Sequence, residues 1–213
     1  MATYIIIAII AYAIGSINFS VLISKKMAGF DVREKGSGNA GTTNMLRSIG
    51  KKSAAITLVC DILKVIVTIL IALIAGKIVK NVDRAVLVQI AGILVVVGHT
   101  FPIFFEFKGG KGVATSLGVI MMINWKIGLI CLFFALAIMA FSKMVSMGSI
   151  GAAILFPVLT LFMNTNFIVP ASGIKYFIFS VILAAIVIFN HRANIKRIAN
   201  GTENKLSFKN TNN

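Results

Sequence analysis

Gly112-Val-Ala-Thr-Ser-Leu-Gly-Val-Ile-Met-Met-Ile-Asn-Trp-Lys-Ile-Gly-Leu-Ile-Cys-Leu-Phe-Phe-Ala-Leu-Ala-Ile-Met-Ala-Phe141 is the stretch on which the fold turns. Its 30 residues are too many for one ordinary membrane helix, which needs about 20 apolar residues. Asn124-Trp125-Lys126 is a polar, interfacial interruption, so the stretch divides into a short helix over 112–123 and a second over 126–141. On either side, apolar runs over 4–23, 53–75, 85–105, 145–163 and 174–190 are each long enough to span. The expected fold is an all-α polytopic membrane protein with seven transmembrane helices and its termini on opposite sides.

The composition agrees with that reading. Of 213 residues, 58% are hydrophobic and 13% charged, with a mean hydropathy of +0.97, which excludes a soluble domain of ordinary composition. The formal charge of +15 raises nucleic acid as a partner, but the basic residues flank apolar spans instead of forming a solvated patch. Anionic lipid headgroups or small anionic substrates are the better match, and no nucleic-acid partner is expected. Cys60 and Cys131 fall inside apolar spans without metal-ligand spacing, so neither a disulfide framework nor a metal site is expected. Met1 to Tyr4 carries no basic residue, whereas Lys25 and Lys26 follow the first apolar run; a cleavable signal peptide has the reverse polarity.

Orientation follows from the basic residues, which cytoplasmic loops retain. Fifteen Lys and Arg fall in segments 25–52, 106–111, 142–144 and the C-terminal tail, against five in the segments on the other side. The amino terminus is therefore expected outside and the carboxyl terminus in the cytoplasm. Residues 1–203 read as one membrane domain and 204–213 as a polar tail.

Three polar islands then share the cytoplasmic face: Lys35 to Asn44, Gly98 to Gly112 and Asn190 to Glu203. Loops without a shared task have no reason to be glycine-, histidine- and asparagine-rich on one side only. A site assembled from all three is the simplest account. In the first island Gly36, Gly38 and Gly41 follow a GxGxxG pattern, yet no βαβ unit surrounds them, so a dinucleotide fold is excluded. The physics still applies: glycines let successive backbone N–H groups point at an anion, with the Ser37, Thr42 and Thr43 hydroxyls and Arg47 beside them. A flexible turn with a helix cap would use the same residues.

In the second island Lys108 and Lys111 alternate with Gly109, Gly110 and Gly112 just before a helix, an arrangement that favours phosphate at the helix N-terminus. His99 stands at the membrane end of the preceding span, where a structural role is the commoner one. In the third island His191 and Asn194 are one helical turn apart and can face one pocket while Arg192 points elsewhere. Histidine is the usual general base near neutral pH. Arg197 and Glu203 complete a polar cap. Asp61 and Lys64, three residues apart within a span, are expected to pair with each other. Ser142, Ser146 and Ser149 could supply hydroxyl donors or cap a helix.

At these residues the chain strongly resembles the bacterial acyl-phosphate:glycerol-3-phosphate acyltransferase family of the inner membrane. Gly36-Ser-Gly-Asn-Ala-Gly-Thr-Thr-Asn44, then Gly98-His99 with Pro102 and Phe107-Lys-Gly-Gly-Lys-Gly112, then Asn190-His-Arg-Ala-Asn194 with Arg197, Gly201 and Glu203 look like its three cytoplasmic motifs. The resemblance implies a seven-span enzyme of the bacterial plasma membrane, with no metal and no cofactor. It would acylate the 1-hydroxyl of glycerol 3-phosphate from acyl phosphate and release lysophosphatidate, with functional coupling to the enzyme that makes acyl phosphate. The implied phosphate-binding set is Ser37, Asn39, Gly41, Thr42, Asn44, Arg47, Lys108 and Lys111. His191 and Asn194 are the implied catalytic pair, with Gly36, Gly38, His99, Gly109, Gly110, Ser142, Arg197 and Glu203 as additional candidates.

The residues agree with this chemistry. An acyl phosphate already carries a good leaving group, so positioning and charge stabilisation suffice. The proton acceptor is left open between His191, oriented by Asn194, and a substrate phosphate. The His-then-Asp spacing of soluble glycerolipid acyltransferases is absent, because Phe104 and Lys196 occupy the fifth positions after His99 and His191. A transporter would favour inverted repeats, and a metal-dependent phosphotransferase an aspartate cluster; the sequence displays neither.

Overall fold

Residues 1–165 and 167–206 are described by the structure, a computed structural model of the chain. The C-terminal end of the tail, 207–213, lies outside the described residues. The helices are α1 (Ala2–Gly15), α2 (Phe19–Ala28), α3 (Thr42–Ser48), α4 (Lys51–Ile78), α5 (Arg84–Thr100), α6 (Val113–Ile123), α7 (Trp125–Ser142), α8 (Val145–Phe162), α9 (Gly173–Asn190) and α10 (Arg192–Ala199). Among the described residues, six segments are long and apolar enough to cross a membrane: Ala2–Ala28, Arg84–Phe105, α4, α7, α8 and α9. The 11-residue α6 is shorter, about 17 Å at 1.5 Å per residue. The Asn124 break falls where expected, and the Asn124 side chain caps α7 by accepting from the Ile127 amide at 3.3 Å.

The first span differs from the expected unbroken helix over 4–23. It stops after Gly15 and restarts at Phe19, where the Asn18 side chain accepts from the Val21 amide at 3.2 Å. The run carries Gly15, Ser16 and Asn18 at this point, but its length and its apolar flanks fit a single span, which concealed the break. Lys64 on α4 explains how the break survives at membrane depth: its ammonium donates to the freed carbonyls of Gly15 at 3.1 Å and Ile17 at 2.9 Å. The same ammonium pairs with Asp61 at 2.9 Å, as the sequence spacing suggests.

Helices approach closely where small residues face each other. A Cβ added at Gly98 on α5 would strike the Tyr12 carbonyl of α1, and one at Gly15 would strike the Val95 carbonyl, so α1 and α5 meet backbone to backbone. Gly148 of α8 approaches the Ala135 carbonyl of α7 in the same way. Between α8 and α9 the rings of Phe156, Tyr176 and Phe179 pack with centroids 6.1–6.3 Å apart. Large apolar side chains such as Phe133, Leu161 and Ile182 point outward, as lipid contact requires.

The bundle has two unlike ends. At one, the Asp83 amide donates to the Tyr4 hydroxyl at 2.7 Å and the Asp83 carboxylate pairs with Lys175 at 2.8 Å, tying the starts of α1, α5 and α9 together. Residue 1 belongs to this end. At the other, the Leu206 amide donates to the Lys143 carbonyl at 2.7 Å, and all three polar islands gather.

Candidate functional site

The islands enclose one cavity of about 300 Å³. From the first island it takes Ser37, Asn39, Gly41, Thr42, Thr43, Asn44 and Arg47; from the second, His99, Lys111 and Gly112; from the third, His191, Asn194, Arg197 and Glu203. Leu58 and Asp61 of α4, and Ser146 and Ser149 of α8, close it below and to the side.

The first island is shaped by left-handed glycines at Gly36, φ +60°, and Gly38, φ +70°. Asn44 locks the resulting loop: its amide donates to the carbonyls of Val32 at 2.9 Å and Lys35 at 3.0 Å, and its oxygen accepts from the Ser37 amide at 2.9 Å. Asn44 thus spends its polar atoms on the backbone that presents Ser37. Thr42 Oγ1 is buried and has no hydrogen-bond partner among the described residues. Arg47 lines the cavity from α3.

The second island is fastened to the first. The Ala40 amide donates to the Gly109 carbonyl at 3.4 Å, and Arg33, clamped by Asp31 at 2.8 Å, reaches the Phe105 carbonyl at 2.9 Å. Gly109 and Gly110 are required by close approach: a Cβ on Gly109 would strike the His99 and Thr100 carbonyls, and one on Gly110 the His99 ring and the Ala40 carbonyl. Lys111 enters the cavity, whereas Lys108 stays outside it, exposed and paired with Glu106 at 3.4 Å. Gly112, φ +81°, turns the chain into α6, whose first turn carries no side-chain cap and borders the cavity at Val113 and Ala114.

In the third island the main chain turns sharply between α9 and α10, burying His191 and Asn194 and leaving Arg192 exposed over the Phe189 ring. His191 Nδ1 lies 2.7 Å from the Val187 carbonyl. A carbonyl only accepts, so Nδ1 carries the hydrogen and Nε2 keeps its lone pair. Burial pushes the His191 pKa down to about 4, so the ring is neutral through the physiological range. Asn194 bridges two charges, accepting from Lys111 and donating to Glu203 at 2.7 Å. Glu203 also accepts from Ser146 at 2.8 Å and from Arg197 at 2.8 Å. Burial raises the Glu203 carboxyl, but the hydrogen bonds from Asn194, Ser146 and Arg197 outweigh it and hold the group below the ordinary carboxylate range.

Burial also lowers Lys111 to about 8, with Glu203 opposing and Arg197 and Arg47 adding to the shift. Lys111 is therefore charged below pH 8 and loses its charge above it. On this basis kcat/KM, which reports the free enzyme, falls as pH rises through about 8. Lys111→Arg, whose guanidinium stays charged throughout, should carry that fall beyond the measurable range; an unmoved alkaline limb would assign it to another group.

Ser142 is not part of the cavity. Its hydroxyl donates to the Ile138 carbonyl at 2.7 Å and accepts from the Met144 amide at 3.1 Å, finishing α7. Gly36 and Gly38 support the first loop without lining the cavity themselves. Among the described residues no three His, Cys, Asp or Glu side chains cluster in a way that could hold a metal ion. Sequence reasoning did not place Asp61 at the site, because its partner Lys64 already accounted for its charge.

A second pocket, about 140 Å³ and lined almost wholly by apolar side chains of α6 to α9, adjoins the cavity. The two share Val113, Leu117, Leu132, Val145 and Ser149.

An all-helical membrane bundle with a cationic cavity opening onto an apolar pocket is the architecture of a protein that handles a phosphorylated amphiphile. The chain matches the family model described as glycerol-3-phosphate acyltransferase over residues 5–201, and it belongs to that family. It is 42% identical over 207 residues to the glycerol-3-phosphate acyltransferase of Clostridioides difficile, covering 97% of each chain. It is 44% identical over 206 residues to that of Thermoanaerobacter sp. strain X514, covering 96% of each. Among solved structures it is similar to PlsY, an integral membrane glycerol 3-phosphate acyltransferase. The glycerol 3-phosphate form of PlsY aligns with a TM-score of 0.81 at 33% identity, covering 96% of each chain. The lysophosphatidic acid form aligns at 0.80 and 31%, covering 96% of this chain and 95% of that one.

Proposed function

We propose that this protein transfers an acyl group from acyl phosphate to the 1-hydroxyl of glycerol 3-phosphate, giving lysophosphatidate and phosphate. The observation that carries the reading is the junction of a polar cavity lined by Arg47, Lys111 and Arg197 with an apolar pocket. Ser37, Thr42, Arg47, Lys111 and the uncapped start of α6 face a space where two phosphates can lie, one from each substrate. The acyl chain extends between α6 and α9, bringing its carbonyl to the shared wall near Val145 and Ser149. His191 Nε2 takes the proton of the attacking hydroxyl, the new ester C–O bond forms, and the bond from acyl carbon to phosphate oxygen breaks. Phosphate departs with its negative charge stabilised by Lys111 and Arg47. No step calls on a metal or cofactor.

The seven-span topology belongs to the same reading. Although short, α6 starts at the recessed cavity and not at the membrane surface, so it has less than the full thickness to cover. Gly128 of α7 packs against Met121 of α6 across the Asn124 turn, so the pair runs out and back. Fourteen Lys and Arg among the described residues lie at the cavity end, and five at the other. That asymmetry supports a cytoplasmic cavity in a bacterial plasma membrane, with the amino terminus outside.

Purified protein given palmitoyl phosphate and glycerol 3-phosphate should release lysophosphatidate and phosphate in equal amounts, with or without a chelator. Binding of both compounds without product would instead support a carrier.

A further inference from the structure

One group facing the cavity has the wrong charge for it. Asp61 is 1% exposed, on the wall formed by α4, and it looks into a space otherwise furnished with anion-binding groups. Its charge is balanced by Lys64 at 2.9 Å, but toward the cavity a carboxylate offers only acceptor oxygens, which a phosphate cannot use. Glu203, the other acid in the cavity, has both oxygens engaged by Ser146, Asn194 and Arg197. Asp61 differs. Its Oδ1 lies 2.9 Å from the Lys64 ammonium and 3.5 Å from His99 Nδ1, yet this buried oxygen has no hydrogen-bond partner among the described residues. Lys64 is itself immobilised by the Gly15 and Ile17 carbonyls and by His99 Nδ1 at 3.0 Å, so the carboxylate is held in one orientation.

A fixed, buried acceptor needs a donor. Acyl phosphate, as a dianion, brings none; glycerol 3-phosphate brings two hydroxyls. The position of Asp61 distinguishes them. The apolar pocket is walled by α6, α7, α8 and α9, whereas α4 packs against α1, α2, α3, α5 and α6. The hydroxyl that attacks must face the acyl side, and the one left over faces α4. We propose that Asp61 is a specificity-determining residue: its carboxylate accepts a hydrogen bond from the 2-hydroxyl of glycerol 3-phosphate and thereby presents the 1-hydroxyl to the acyl carbonyl. This rests on the acyltransferase reading above.

The test compares glycerol 3-phosphate with 3-hydroxypropyl phosphate, which lacks only the 2-hydroxyl, at saturating palmitoyl phosphate. The wild-type protein should lose about tenfold or more in kcat/KM on the analogue, the range of a hydrogen bond to a charged group. Asp61→Asn should bring the two acceptors within about threefold of each other and raise the share of 2-acyl product, because the penalties of two changes to one contact do not add. Equal use of both acceptors by the wild-type protein overturns the proposal, as does an Asp61→Asn loss of the same size on both. Should Asp61→Asn leave Lys64 too poorly neutralised to insert, the wild-type comparison still decides, and Asp61→Asn with Lys64→Met removes both charges together. Lysophosphatidate formation from glycerol 3-phosphate by the wild-type protein tests the underlying reading separately.

Discussion

His191→Ala should lower kcat by about a hundredfold or more, the scale of a lost general base, while the protein still inserts and folds. The geometry argues for a base and not merely a hydrogen-bonded histidine. Nδ1 is committed to the Val187 carbonyl at 2.7 Å, so the free lone pair is on Nε2, in a ring that lines the cavity. A pKa of about 4 keeps that lone pair available at neutral pH, although it also makes the ring a weaker base than an unperturbed histidine. The developing charge on the ring is opposed by Lys111 and favoured by Glu203, both of which face the same cavity. The sign is definite: His191 stays available as a base downward through pH 6 and is lost only on approach to about pH 4, so a fall of kcat/KM near pH 6 belongs to protonation of the substrate phosphates. His191→Gln, which restores a polar side chain but no base, should not recover the rate. A turnover within about threefold of wild type in either variant would transfer proton acceptance to a substrate phosphate.

The sequence and the structure agree on the placement of nearly every helix, because apolar runs of membrane length are bounded by residues that must end them. Asn124 marks one such end and Asp83 another. The break at Ser16 to Asn18 has a local signal in the Asn18 cap, but what sustains it is not local: its freed carbonyls are satisfied by Lys64, some 47 residues away from Ile17, and no local pattern records that contact. The three islands were readable as one site because their residue types are expensive in a membrane and concentrated on one side. Their internal division of labour was not. Asn44 and Gly110 belong to motifs that look like ligand contacts, yet one ties loop backbone and the other makes room for His99. Ser142 and Ser146 differ by four residues and read alike; the first finishes a helix and the second reaches Glu203.

Lys108 and Lys111 pose the same problem, and they carry the second large effect. Three residues apart in one glycine-rich loop, they are equivalent to any count of charge. The chain separates them by turning through left-handed conformations at Glu106, φ +58°, and Phe107, φ +57°, which leave Lys108 in solvent beside Glu106 and deliver Lys111 into the cavity. A desolvated ammonium aimed at a leaving phosphate stabilises charge far better than one in water, because the local dielectric is low and the donor is already in place. Lys111→Met should therefore cut kcat/KM by about a hundredfold to a thousandfold, or roughly 2.7–4 kcal/mol of transition-state stabilisation. Lys108→Met, which removes the same formal charge from the same loop, should cost less than about threefold, as a screened surface charge does. Both variants should be read on purified protein with palmitoyl phosphate and glycerol 3-phosphate, and at more than one salt concentration. If the loop acts only as a diffuse positive field, the two losses will be alike and will shrink together as salt rises. If Lys111 is a directed contact, its loss will persist at high salt while the small effect of Lys108 disappears.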